Sequence, residues 1–256
     1  MIQASNQSAA YDKLTDEIDH WRAENQKIRF FLRDDYAVSD TPALRQLFEL
    51  IKRNETPVLL ATIPKMADTS LAALVGETPL VTPAAHGYAH VSHTPEGFKP
   101  CELDHFRPLE VVIEEMKDAR DKLTTLFGDV VSALLVPPWN RIHEEVLPHV
   151  RNAGFAGVSA QGWQNDPTPV PMVNVHLDII HWSGGVCGRD REWIYLNLAQ
   201  NLEIARNSGW QPVGILTHHL VHDDQAWDSL EAIFDFARAC EAKWIVADDL
   251  LAERQA

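Results

Sequence analysis

The feature that most constrains this 256-residue chain is the regular alternation of short apolar runs with amphipathic stretches. Ile28–Leu32, Pro57–Ile63, Leu80–Ala84, Ser132–Val136, Phe155–Ser159, Val173–Ile180, Pro212–Thr217 and Lys243–Val246 are short and almost continuously apolar. Such runs read as strands buried on both faces. Leu44, Leu47, Phe48 and Ile51 form one face of a helix that Asp40-Thr-Pro42 begins, with proline in the first turn. Leu109, Val112, Ile113, Met116, Leu123, Leu126 and Phe127 form the apolar stripe of a helix over Pro108–Phe127, and Gly128 is placed to end it. Further helices are predicted near Asp68–Val75 and over Glu144–Asn152, Arg191–Ala205 and Trp227–Cys240. Strands separated by helices pair in parallel with the helices outside. Seven or eight such units in this length favour a closed or nearly closed β/α barrel, whose chemistry collects at the C-terminal ends of the strands.

No repeat, low-complexity tract or linker divides the sequence, so residues 1–256 are expected to form one domain, with 1–27 as a polar tail and a short helix carrying Leu14, Ile18 and Trp21. Lys and Arg number 22 against 37 Asp and Glu, a net charge of −15 that repels phosphate backbones and anionic lipid. Nucleic-acid binding and membrane insertion are therefore not expected. Cys101, Cys187 and Cys240 are odd in number and widely spaced, as in a reducing compartment. The opening residues show neither a basic patch nor an apolar stretch, and a cytoplasmic location is expected. Oligomeric state is not legible.

Four strand ends carry polar clusters. Arg33-Asp34-Asp35 follows Phe30-Phe31-Leu32, and adjacent carboxylates repel unless a cation or proton separates them. His86-Gly-Tyr-Ala-His90 sets two histidines four apart, a spacing that can hold one divalent ion but is weak alone in a chain with 12 histidines. In Val136-Pro-Pro-Trp-Asn140 two prolines stiffen a strand exit and present an aromatic wall. His218, His219 and His222 end a strongly apolar strand, where burial is costly without a partner. Asp223-Asp224 and Asp248-Asp249 read as helix caps or solvated turns. Brought to one end of a barrel, one aspartate and two histidines make a facial site of oxygen and nitrogen donors, which suits Zn²⁺ and admits other divalent ions. A second aspartate as base and a later histidine as acid complete the parts of a metal-assisted hydrolase.

In this order the motifs resemble those of the polysaccharide deacetylase family, the carbohydrate esterases with a NodB-homology domain, from about Ile28 to Asp249, and more narrowly a cytoplasmic bacterial-type branch of it. The resemblance implies a distorted (β/α) barrel of about seven parallel strands. It implies removal of an N-acetyl group from a sugar or oligosaccharide, with bound Zn²⁺ or, alternatively, Co²⁺, Ni²⁺ or Mn²⁺. Carried over, Asp34 is the general base, Asp35, His86 and His90 are the metal ligands, Trp139 supplies an oxyanion-binding backbone N–H, and His218 is the general acid. Two positions depart from the family pattern. Val136 stands where an arginine precedes Pro-Pro, and His181 stands where an aspartate precedes Trp182. Arg33 or Arg141 is the expected replacement for the guanidinium, with Asp178 taking part. His219 and His222 are candidates to orient the acid. Tyr88, Trp139, Trp163 and Trp182 are candidates for stacking on a sugar, and Glu102, His105 and Arg107 for the cleft rim. The alternatives are a metal-dependent hydrolase of a non-sugar amide and a catalytically silent carbohydrate- or metal-binding protein.

Overall fold

The architecture follows from strands that bury both faces. In the computed structural model, which describes residues 8–164 and 166–255, β1 (Arg29–Ala37) lies at the centre of a parallel sheet with β2 (Val58–Thr62), β3 (Val81–His86), β4 (Leu134–Val136) and β5 (Gly157–Val158) on one side. On its other side are β9 (Val213–Thr217) and then β6 (Leu177–Asp178), while β10 (Lys243–Trp244) pairs with the start of β1. A hairpin of β7 (Ile180–His181) and β8 (Cys187–Gly188) stands apart. The seven strands of the main path curl into a distorted barrel. Backbone bonds from Val173 N–H to Val158 (2.8 Å) and Val175 N–H to Ala160 (3.0 Å) bridge β5 to the segment entering β6.

The pleat sorts side chains into two layers. Phe31, Leu59, Ala61, Ala84, Val136 and Leu216 point into the barrel. Phe30, Leu32, Val58, Leu60 and Ile215 face the helices α2 (Pro42–Arg53), α3 (Thr69–Gly76), α4 (Leu109–Phe127), α5 (Arg191–Asn207) and α6 (Asp224–Ala239). A last helix, α7 (Ala247–Glu253), sends Leu250 and Leu251 into the inner layer. The N-terminal helix α1 (Ala9–Ala23), capped by the Ser8 hydroxyl, buries Leu14, Ile18 and Trp21, and its Glu17 accepts two bonds from Arg206 of α5 (2.7 and 3.1 Å).

Two expected elements differ. Glu144–Asn152 forms two single 3₁₀ turns, Leu147–His149 and Arg151–Ala153, because Pro148 has no N–H to give an α-helix there. Val173–Ile180 does not run as one strand. The Asp178 carboxylate accepts the Ile180 N–H (2.9 Å), drawing the chain off the ladder and into the β7–β8 hairpin. Asp223 caps α6, accepting the Ala226 N–H (2.8 Å), and Asp248 lies in the first turn of α7. Among the described residues no helix is long and apolar enough to cross a membrane, and the three cysteines are free thiols.

Candidate active site

Strand alternation separates the two adjacent carboxylates of β1. Arg33 and Asp35 follow Phe31 into the barrel, whereas Asp34 follows Phe30 and Leu32 outward. Arg33 is fully buried and donates to both oxygens of Asp35 (2.9 and 3.0 Å). Its remaining N–H groups reach the Ser159 carbonyl (2.7 Å), the Ser159 hydroxyl (3.1 Å), the Ala160 carbonyl (3.2 Å) and Asn140 Oδ1 (2.5 Å). Burial alone would raise the Asp35 pKa. Arg33, by its charge and by its hydrogen bonds, outweighs it and holds the carboxyl below its ordinary range. Of the two arginines expected near the site, Arg33 places a buried guanidinium on Asp35, from within the same strand. Arg141 instead donates to the Pro100 carbonyl (2.9 Å).

Asp34 is turned toward the 217–222 loop. It accepts the backbone N–H of His219 (2.9 Å) and the His219 Nδ1–H (2.5 Å). Asp34 is thus bound on the outer face of the strand, whereas the charge of Asp35 acts on His86 and His90.

His86 ends β3 with Nδ1 3.1 Å from the Val136 carbonyl. A carbonyl only accepts, so Nδ1 carries the proton and Nε2 keeps its lone pair. Burial pushes His86 down to about 3, so the ring is neutral, and burial lowers His90 as well. Both Nε2 atoms are buried without a partner, and the rings lie 4.9 Å apart. The turn between them is clamped by the buried Glu102, which accepts from the N–H groups of Tyr88 (3.3 Å), Ala89 (2.7 Å) and His90 (3.2 Å). Gly87 sits at φ 57°, and a Cβ there would run into that carboxylate and lie 2.6 Å from the Pro138 ring. No other residue fits between the clamp and the Pro-Pro turn. On the far side of His90, 4.3 Å away, stands Trp139, which with Asn140 forms two consecutive left-handed residues (φ 54° and 57°).

His218 leaves β9 with Nε2 3.5 Å from Asp178 Oδ2 and both ring nitrogens buried without a hydrogen bond. Asp178 is held in turn by the Trp182 indole N–H (2.8 Å) and the Ile180 N–H. Asp178 and Trp182 therefore meet His218, although His181 precedes the tryptophan. The fourth residue of the cluster has no sequence signature. Tyr36 stands at φ 80° in a β-bulge, its ring 5.6 Å from His86, 5.0 Å from His90 and 5.1 Å from His218. Burial, then Asp35 and Asp178, push its hydroxyl up to about 12, so it is a phenol. A non-glycine residue at positive φ costs on the order of 1–2 kcal/mol, and such strain concentrates at functional sites.

Other candidates lie elsewhere. Trp163 stacks on His176 (3.8 Å) and donates to Asn201. Tyr88 lies under the Lys65 ammonium, and Arg107 pairs with Glu115 (2.8 Å). His222 bonds the Thr217 hydroxyl. Among the described residues no three His, Cys, Asp or Glu side chains stand close enough together to hold a metal ion as placed. The donor chemistry nevertheless fits one in part. Two neutral imidazoles present unpartnered buried Nε2 atoms, one with its tautomer fixed, while Asp35 has both oxygens on Arg33.

No protein-family model matches the sequence and no curated protein matches it. Solved structures do match. The chain superimposes on the Xyl-CE4 domain of a multidomain xylanase from the hindgut metagenome of Trinervitermes trinervoides with TM-score 0.58, 12% identity, and 90% of this chain covered against 93% of that one. The fold is that of the family 4 carbohydrate esterases. A family 4 acetyl xylan esterase from Clostridium thermocellum in complex with a cobalt ion gives TM-score 0.57 at 10% identity, over 88% of this chain and 91% of that one. A peptidoglycan N-acetylglucosamine deacetylase gives 0.54 at 13%, over 89% and 94%.

Proposed function

We propose that the chain is a member of the polysaccharide deacetylase family that hydrolyses the N-acetyl amide of a carbohydrate with the aid of a divalent metal. The observation that carries this is the pair of buried, unpartnered Nε2 atoms of His86 and His90 at a strand end, beside Asp35–Arg33 and His218–Asp178. The structural neighbours with this fold include deacetylases and esterases of sugars. His86, His90 and, with one oxygen released by Arg33, Asp35 would hold the ion. Bound there, it would supply Lewis-acid polarisation of the acyl carbonyl and activation of water.

The chain's own residues do the rest. Asp34 is committed to His219 and Asp35 to Arg33, so the group left to carry a proton is His218. Asp178 faces its Nε2 and fixes the ring, leaving Nδ1 to take a proton as water adds to the carbonyl carbon. The same proton is returned to the amide nitrogen as the C–N bond breaks, giving the free amine and acetic acid, which ionises to acetate in solution. Trp139 walls the acyl side against His90, with its backbone N–H as the proposed donor to the developing oxyanion. One observation favours a second reading, a hydrolase of small non-sugar amides: the Tyr36 ring stands amid the three imidazoles and narrows the approach.

The test is twofold. Co²⁺ titration should give a tetrahedral or five-coordinate visible spectrum and raise Tm, and His86→Ala should abolish both effects. Acetate release from N-acetylglucosamine oligomers should be lost in His218→Ala. Cobalt binding with turnover only on small amides favours the second reading, and absence of cobalt binding refutes the proposal.

A further inference from the structure

Beside the candidate active site lies a cavity of about 610 Å³ between the 94–106 segment and Asn140–His143. Two features of its lining are unusual for a free surface. Phe98 and Phe106 are 63% and 41% exposed, their rings edge to face at 5.1 Å, an apolar platform without a cover. Asp104, buried on the opposite count, gives one oxygen to the Phe106 N–H (2.8 Å) and leaves the other, Oδ2, buried with no partner. The rim carries Lys99 and Arg141, and among the described residues neither pairs with a carboxylate, on a chain whose net charge is −15.

Two residues of the lining connect the cavity to the supports of the catalytic cluster. Asn140, which lines it, accepts from the same guanidinium that grips Asp35. Cys101, also in the lining, precedes the Glu102 that clamps the His86–His90 turn.

We infer that this cavity is a binding site for a sugar ring bearing an anionic substituent, a phosphate or a carboxylate. The apolar face of the ring lies on Phe98 and Phe106, and a ring hydroxyl or amide N–H donates to Asp104. The anion sits at the mouth near Lys99 and Arg141, away from the buried Asp104 carboxylate that would repel it. As to its place in the reaction, the inference rests on the deacetylase reading: the cavity holds the part of the substrate beyond the amide.

Direct binding separates the two ideas, because it is read without turnover. Calorimetric titrations of the metal-free protein at low salt compare N-acetylglucosamine, N-acetylglucosamine 1-phosphate, N-acetylmuramic acid and inorganic phosphate. A rim charge contributes roughly 1.5- to 5-fold in affinity, so with two of them an anionic sugar is expected to bind at least about twofold tighter than the neutral one. Lys99→Ala should reduce that preference while leaving the neutral sugar unchanged, and Phe98→Ala should weaken all sugars but not inorganic phosphate. Both positions are exposed, and thermal unfolding checks that each variant is folded. Preference for either the phosphate or the carboxylate sugar supports the inference and assigns the anion. Equal affinity for neutral and anionic sugars, a preference that survives Lys99→Ala, or inorganic phosphate binding as tightly as the sugar phosphate overturns it. If the preference is present but no acetate is ever released, the deacetylase reading fails and the cavity assignment stands.

Discussion

Arg33→Met tests the centre of the site. The guanidinium is fully buried, and its five N–H groups reach six acceptor atoms, on Asp35, Ser159, Ala160 and Asn140, which joins β1 to the Ser159–Ala160 segment and to the Pro-Pro-Trp-Asn turn. Methionine fills much of the volume but leaves Asp35 as a buried carboxylate without its cation, a loss of about 3–5 kcal/mol for a broken buried pair. Domains of this kind have about 5–15 kcal/mol in total. At roughly 2–4 °C of Tm per kcal/mol for a chain of this size, the drop is of order 10 °C. The pH dependence distinguishes this cause from lost packing. In the native chain Asp35 is held below its ordinary value, so its contribution is full above about pH 4 and is lost as pH falls through the lower folded value. In Arg33→Met burial is no longer outweighed and the folded pKa rises above the unfolded one, so the penalty is full at high pH and disappears as Asp35 protonates. Urea unfolding in the presence of a chelator should therefore show a larger deficit at pH 8 than at pH 4.5, and Arg33→Met/Asp35→Asn should recover much of it. A deficit below about 1 kcal/mol at pH 8, or one that does not change with pH, refutes the buried pair as the organising interaction.

Further outcomes follow from the same geometry. Tyr36→Gly should be more stable than Tyr36→Ala by about 1 kcal/mol in thermal unfolding, since both delete the ring and only glycine is at ease at φ 80°; equal stabilities would place Tyr36 outside the left-handed region. Glu102→Gln, which replaces one of three-bond acceptance by an amide NH₂, should cost about 1.5–3 kcal/mol and speed hydrogen exchange at Tyr88, Ala89 and His90 above all. Asp34→Asn should lower kcat through a looser His219 loop and leave a measurable residual rate, whereas His218→Ala should abolish turnover; complete loss in Asp34→Asn would return the base role to Asp34.

Much of the fold was legible because burial on both faces writes itself as short apolar runs, and the strand–helix alternation then leaves few topologies. The elements that differ turn on single residues. Pro148 breaks a helix that the apolar spacing promised, and the Asp178 carboxylate, by capping Ile180, converts a long strand into a strand and a hairpin edge. At the site, the His-Gly-x-x-His motif was readable as a pair of donors, but its clamp, Glu102, is brought in by a loop 12 residues past His90, and no local pattern announces that. Tyr36 was invisible because its importance lies in a backbone angle, not in its side-chain type.

The Asp34-Asp35 pair shows how far the pleat can decide chemistry. Read as letters, two adjacent carboxylates suggest one shared task. A strand sends neighbours to opposite faces, and here the inner one meets Arg33 while the outer one meets His219. The division avoids the repulsion of two buried anions on one face, and it gives each a different partner: one carboxylate pairs with the buried Arg33, the other fixes the loop that follows His218. A sequence with the same two aspartates after a one-residue shift of the strand would exchange those partners, since such a shift turns every side chain to the other face. The apolar residues that precede them resist that shift, because it would carry Phe31 out of the barrel and bring Phe30 and Leu32 in. The chemistry at the end of β1 is thus set by the register of the hydrophobic residues that precede it.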